Sequence, residues 1–145
     1  MGSKNTILVN MNNTENEITT YFSTQPDVKV VYLFGSKRSG KTHKESDVDI
    51  AVLFRDGYAP DIDMMLEMQD NLTSLLSRET DIVVLNTASP IIRMQVLRKG
   101  KILLKRDQRA YSRFFVHTIN EYDDLKRVRS VIEKKIMRGS VYGRS

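Results

Sequence analysis

Apolar residues along this chain recur with two different periods, and the changes of period divide it into predicted helices and strands. From Thr14 to Phe22 the apolar positions have helical spacing, which predicts a short amphipathic helix before Pro26. Val28–Phe34 is rich in β-branched and aromatic residues and stops at Gly35, which is typical of a buried strand. We expect functional groups where this strand ends.

The remainder of the chain continues the alternation of strands and helices. Further strands are predicted over Asp49–Phe54, Asp81–Leu85 and Lys101–Lys105, and further helices over Asp61–Leu76, Pro90–Arg98 and Gln108–Met137. Ser89 is suited to cap the helix that begins at Pro90, and Gly100 is suited to end it. The order of elements predicts an α/β (α+β) fold, with a small mixed sheet flanked by helices and a long C-terminal helix.

Length and composition favour one domain. A chain of 145 residues with 40% hydrophobic residues can bury one core but not two large ones. We expect a leader over residues 1–13, the folded domain over 14–138 and a flexible tail over 139–145. No apolar run reaches the roughly 18–20 residues that span a bilayer, so we expect a cytoplasmic protein without membrane attachment.

The absence of cysteine restricts the possible metal ligands, and the surplus of basic residues favours negatively charged binding partners. Without cysteine there is neither a disulfide nor a thiolate metal site, so a metal would be held by oxygen or histidine ligands. The net charge of +5, concentrated late in the chain, suits polyanionic ligands such as nucleotides. Direct binding of nucleic acid is the weaker alternative, because a charge run on a helix is usually its solvated side.

The residues with the most chemical information lie between the first two predicted strands. Gly35 and Ser36 end the first strand and offer a close backbone approach, a hydroxyl and an amide donor to a triphosphate. Asp47 and Asp49 are two residues apart at the start of the next strand, so their carboxylates share one face and would repel each other unless a divalent cation such as Mg²⁺ lies between them. Asp81 opens the following strand and is a candidate third acid, either as a metal ligand or as the base for an attacking hydroxyl.

Gly-Ser and Asp-x-Asp are each common in turns and helix caps, and only their combination with two flanking strands is specific. In that combination Gly35-Ser36, Gly40, Ser46, Asp47 and Asp49 resemble the signature of the DNA polymerase beta nucleotidyltransferase superfamily. The short chain resembles the minimal nucleotidyltransferase (MNT) branch of that superfamily, with the likeness extending over about 28–105.

The resemblance implies a particular activity and partner. It implies a Mg²⁺-dependent nucleotidyltransferase that moves AMP from ATP to a tyrosine of a HEPN-domain toxin and acts as its antitoxin. It also implies that Asp47, Asp49 and Asp81 are the catalytic metal ligands and that Gly35 and Ser36 bind the nucleotide. Two alternatives stay open: a non-catalytic antitoxin that masks a protein or RNA, and an adenylyltransferase for small molecules of the aminoglycoside type.

Overall fold

The computed structural model describes residues 13–34 and 48–143, with side chains described as far as residue 138. Four helices and four strands make up this part of the chain. The helices are α1 (Asn13–Ser23), α2 (Ile62–Leu76), α3 (Pro90–Lys99) and α4 (Gln108–Gly143). The strands are β1 (Val28–Phe34), β2 (Val48–Phe54), β3 (Thr80–Val84) and β4 (Lys101–Lys105).

The strands form one mixed sheet in the order β3-β2-β1-β4. β1 pairs antiparallel with β2 on one side and with β4 on the other, while β2 and β3 are parallel. The parallel pair needs a crossover, which α2 supplies between β2 and β3. The predicted mixed α/β architecture, with its long last helix and β4 at an edge, is confirmed.

Both faces of the sheet are covered, because each strand directs alternate side chains to opposite sides. On one face, Ile18 and Phe22 of α1 and Met68 and Leu72 of α2 pack on the sheet as a first core. On the other face, Val96 of α3 and Phe114 of α4 pack against sheet residues as a second core. The sheet residues of the second core are Val30, Tyr32, Ala51 and Leu53, joined by Leu85 at the end of β3. The sheet is therefore the middle of three layers.

Local capping explains where two of the helices begin. The Asp61 side chain accepts a hydrogen bond of 2.8 Å from the backbone N–H of Met64 at the start of α2. Ser89 caps α3 in the same way, with Pro90 in the first turn as the sequence predicts. Gly100 ends α3 with an extended backbone (φ −77°, ψ 152°). The glycine therefore matters here because it has no side chain to accommodate, and not because it adopts a left-handed conformation.

Several element bounds differ from the sequence prediction, most of them by one residue. β2 begins at Val48 and β3 at Thr80, each one residue earlier, because these two residues pair with each other. Thr80 is fully buried and its backbone N–H donates to Thr73 Oγ1 over 3.2 Å. α4 continues to Gly143, six residues past its predicted end. Among the helices of the described residues, none combines the length and apolar character required to cross a membrane.

Candidate active site

The first half of the predicted motif spans the connection between β1 and β2. Phe34, the last residue of β1, pairs with Asp49 in β2. Gly35 and Ser36 follow Phe34 directly in the sequence, and Asp47 directly precedes β2. These three predicted site residues lie outside the described part of the chain. The pairing of their neighbours brings both ends of the motif to one end of the sheet.

The register of the parallel strands β2 and β3 places Asp49 beside Asp81. Asp49 in β2 and Asp81 in β3 are partners in the parallel ladder. Ile50 and Ile82, the next residue in each strand, pack in the first core, so both aspartates belong to the opposite face of the sheet. Asp49 is half-buried and Asp81 is exposed. The structure therefore brings these two predicted site residues together, level with each other on neighbouring strands.

Two carboxylates in this arrangement favour a cation. Neighbouring strands lie about 4.8 Å apart, and two unit charges at that distance repel by about 1 kcal/mol in water and about 3 kcal/mol at an effective dielectric constant of 20. Their oxygens are ligands of the kind that Mg²⁺ takes, usually one or two carboxylates with substrate phosphates completing the shell. Within the described residues no group of three or more His, Asp or Glu forms a metal cage. Two carboxylates are a donor set that fits a Mg²⁺ ion whose other ligands are substrate phosphates.

Tyr32 forms part of the packed layer beside this acid pair. It lies on the same sheet face as Phe34, its ring centroid is 6.4 Å from that of Phe114, and only 2% of its surface is exposed. Its hydroxyl has no hydrogen-bond partner among the described residues. Burial, with a smaller effect from Tyr111, raises the pKa of Tyr32 well above its ordinary value. Tyr32 is therefore a neutral structural side chain rather than an acid or base.

Arg93 organises the same sheet face and was not singled out by the sequence. Its guanidinium donates to the backbone carbonyls of Leu85 and Asn86, both at 2.8 Å, and to Glu121 Oε1 at 3.0 Å. It also lies 5.8 Å from the ring centre of Phe114. The one sequence signal is a cation near the start of α3, where the helix dipole disfavours positive charge unless partners compensate.

Comparison with known proteins identifies the family. The sequence model described as Polymerase beta, Nucleotidyltransferase matches residues 16–109. This range contains both aspartate-bearing strands and the connection that carries Gly35, Ser36 and Asp47. The chain belongs to this family. In this polymerase beta family nucleotidyltransferase, Asp49 and Asp81 both lie within the matched range.

Individual relatives agree with the family. The Protein adenylyltransferase MntA of Shewanella oneidensis is 37% identical over 112 residues, which cover 77% of this chain and 78% of MntA. A crystal structure of a toxin-antitoxin with AMP-PNP superposes with a TM-score of 0.70 at 35% identity, covering 85% of this chain and 98% of its own. A structure of the tri-AMPylated S. oneidensis HEPN toxin in complex with MNT antitoxin has a TM-score of 0.69 at 33% identity, covering 86% and 96%.

Proposed function

We propose that this chain is a protein adenylyltransferase that moves AMP from ATP to a tyrosine hydroxyl of a partner HEPN toxin and so acts as its antitoxin. The observation that carries the proposal is the level pairing of Asp49 with Asp81 at the sheet end where the Gly35-Ser36 motif begins. Family membership and similarity to MntA support transfer of a nucleotide to protein. Similarity to the AMPylated HEPN toxin complex supports the acceptor class. Because ATP is a cytoplasmic substrate, we place the reaction in the cytoplasm.

The proposed roles follow from the chemistry of each side chain. Asp47, Asp49 and Asp81 would hold Mg²⁺, and Gly35 and Ser36 would bind the triphosphate through backbone and hydroxyl donors. When bound, Mg²⁺ supplies charge neutralisation to the phosphates and to the leaving pyrophosphate. The Asp49 and Asp81 carboxylates orient that charge from one face of the sheet.

The transfer itself balances as a displacement at the α-phosphorus of ATP. The tyrosine oxygen forms a bond to this phosphorus, and the bond from the phosphorus to the oxygen that bridges to the β-phosphate breaks. Pyrophosphate leaves with the electron pair, and the tyrosine proton passes to a base. The Asp81 side chain is exposed, so its carboxylate can receive a proton or bind a metal.

The test is incorporation of label from ATP carrying ³²P at the α-phosphate into a partner HEPN toxin, with Mg²⁺ present. Asp49→Asn is expected to reduce incorporation by about 10³-fold or more, since a misplaced metal forfeits several kcal/mol of transition-state stabilisation. Asp70→Asn is the matched control, because Asp70 is exposed on α2 at the other face of the sheet. Thermal melting of all variants verifies that they fold.

The two roles open to Asp81 are separable in the same assay. If Asp81 is a ligand, Asp81→Asn raises the Mg²⁺ concentration for half-maximal transfer and excess Mg²⁺ recovers the rate. If it is the base, excess Mg²⁺ has no effect and the rate recovers as pH rises, because hydroxide replaces the lost base.

Other results would refute the proposed activity. A stable complex with the toxin, but no label on it with the unsubstituted chain, would leave a non-catalytic antitoxin. Label on an aminoglycoside and none on the protein would favour the small-molecule enzyme. If Asp70→Asn lost as much AMP transfer as Asp49→Asn, the loss would follow from the removal of any negative charge and would not be specific to the acid pair.

A further inference from the structure

The end of α4 extends away from both cores. Every side chain from residue 126 to residue 138, which we name the distal segment, is exposed. Six of its residues are basic and one is acidic, giving a net charge of +5 that equals the charge of the whole chain. The basic residues are Lys126, Arg127, Arg129, Lys134, Lys135 and Arg138. The distal segment lies outside both hydrophobic cores.

The distal segment also carries an apolar stripe. Val128, Val131, Ile132 and Ile136 are 48–62% exposed. Their spacing places them on one side of the helix, continuous with half-buried Leu125. Four β-branched residues side by side in water are the pattern of a surface that a partner covers, since the solvated side of a helix is normally polar.

Before the distal segment, α4 packs on the sheet face to which Asp49 and Asp81 belong. Near its start, Arg113 contacts Asp56, just beyond the far end of β2, at 3.2 Å. Further along, the Tyr122 ring lies 5.4 Å from the guanidinium of Arg98 in the last turn of α3. α3 leads directly into β4, whose first residue pairs with Leu33 beside the active-site end of β1. Glu121, one residue before Tyr122, is bound by Arg93 near the start of α3, so this part of α4 lies across α3.

Charge and side-chain type restrict what covers the stripe. Pairing with a second copy would bring two segments of +5 together, which like-charge repulsion opposes. Nucleic acid would use the basic residues through phosphate contacts, but it would leave the apolar stripe uncovered. A protein groove with an apolar floor and an acidic rim satisfies both features, as in helix-in-groove recognition.

We infer that the distal segment is the docking helix for the acceptor protein, which receives it in an acid-rimmed apolar groove. This inference rests on the proposed function for the identity of the acceptor. Docking by a separate helix lets the acceptor be recognised by its folded surface, while the acid pair acts on one side chain. It predicts that affinity and specificity reside in α4 and that chemistry resides at the sheet.

The experiment compares two variants that add the same charge to the same helix. Ile132→Asp places a carboxylate in the stripe, and Ser130→Asp places one about half a turn away, on the opposite side of the helix. Dissociation constants for the HEPN toxin are measured by calorimetry, ATP binding is measured separately, and kcat and KM are taken from AMP transfer. We expect Ile132→Asp to weaken toxin binding at least tenfold and to raise KM for the toxin in parallel. Ser130→Asp should change either quantity less than threefold, and ATP binding should be unaltered in both.

Two outcomes would overturn the inference. Unchanged toxin affinity in Ile132→Asp and in a second stripe variant, Val128→Asp, would show that the stripe is not the docking surface. Equal weakening by Ile132→Asp and Ser130→Asp would indicate a purely electrostatic surface, as for RNA. Failure of the proposed function is distinguished because it removes AMP transfer from the unsubstituted chain, whereas the binding measurements still decide the role of the stripe.

Discussion

Replacement of Arg93 by methionine tests how the long helix is attached to the sheet face that carries the acid pair. The Arg93 side chain is 12% exposed and joins three elements: the end of β3 through two backbone carbonyls, its own helix α3, and α4 through Glu121. Methionine keeps most of the apolar stem and removes all three hydrogen bonds. The substitution therefore isolates the polar contacts from the packing.

The expected magnitude follows from the acceptors that are left behind. Leu85 is fully buried, and apart from Arg93 its carbonyl receives only a long 3.4 Å hydrogen bond from the Ala88 N–H. An unsatisfied buried acceptor costs about 1–3 kcal/mol. Glu121 is more than a third exposed, so solvent screening keeps its ion pair below about 1 kcal/mol. Together these give a loss of about 1–4 kcal/mol, or about 3–16 °C in Tm for a domain of this size.

The assay is urea unfolding followed by circular dichroism, with thermal melting as a second measure. Arg113→Met is the control, because Arg113 and Asp56 are 60% and 83% exposed and their ion pair should contribute less than about 0.5 kcal/mol. Glu121→Gln measures the carboxylate alone and should cost less than about 1 kcal/mol. A loss in Arg93→Met no greater than in Arg113→Met would refute the reasoning, since the buried carbonyls would then tolerate the absence of their donor.

Two further substitutions test the packing of the same sheet face. Tyr32→Phe should change the free energy of unfolding by less than about 1 kcal/mol at neutral pH, because the lost hydroxyl has no partner among the described residues. Burial raises the pKa of Tyr32 in the folded protein, so above pH 10.0, the ordinary pKa of tyrosine, the unfolded state ionises first and the unsubstituted protein loses stability. The Tyr32→Phe variant should lose less stability over the same pH range. An identical alkaline slope of the unfolding free energy in urea titrations of the two proteins would contradict this. Gly100→Ala should lower stability by about 1–3 kcal/mol, because a Cβ would lie 2.6 Å from the Val96 carbonyl oxygen; an unchanged urea midpoint would show that the backbone moves without cost.

Much of the secondary structure follows from sequence because the signals are local. The caps of α2 and α3, at Asp61 and Ser89, are short side chains that bond to the backbone three residues ahead. The Ser89 cap forms as predicted, whereas Asp61 was expected only as the first residue of its helix. Strand ends were displaced by one residue at Val48 and Thr80, because these ends are set by pairing between distant segments. The fold class follows from the order of elements, whereas the strand order requires the structure.

In the candidate site, too, some residues follow from the sequence, whereas the pairing of Asp81 with Asp49 required the structure. The sequence identified Gly35, Ser36, Asp47 and Asp49 because they are close in the chain and flanked by strands. Asp81 was a candidate only on condition that its strand neighbours β2, and the parallel register meets that condition by placing it opposite Asp49. Since a one-residue slip would turn its carboxylate to the other face, register is what makes the pair.

Arg93 and the distal segment of α4 mark what only the tertiary structure decided. Nothing in the sequence near Arg93 specifies the carbonyls that it binds, because its three acceptors lie on other segments. The apolar period of the last helix indicates a hydrophobic side over its whole length, but Phe114 is buried against the sheet while Ile132 faces solvent. Periodicity records that a helix has an apolar face, and only the positions of the other elements determine whether the protein covers that face itself.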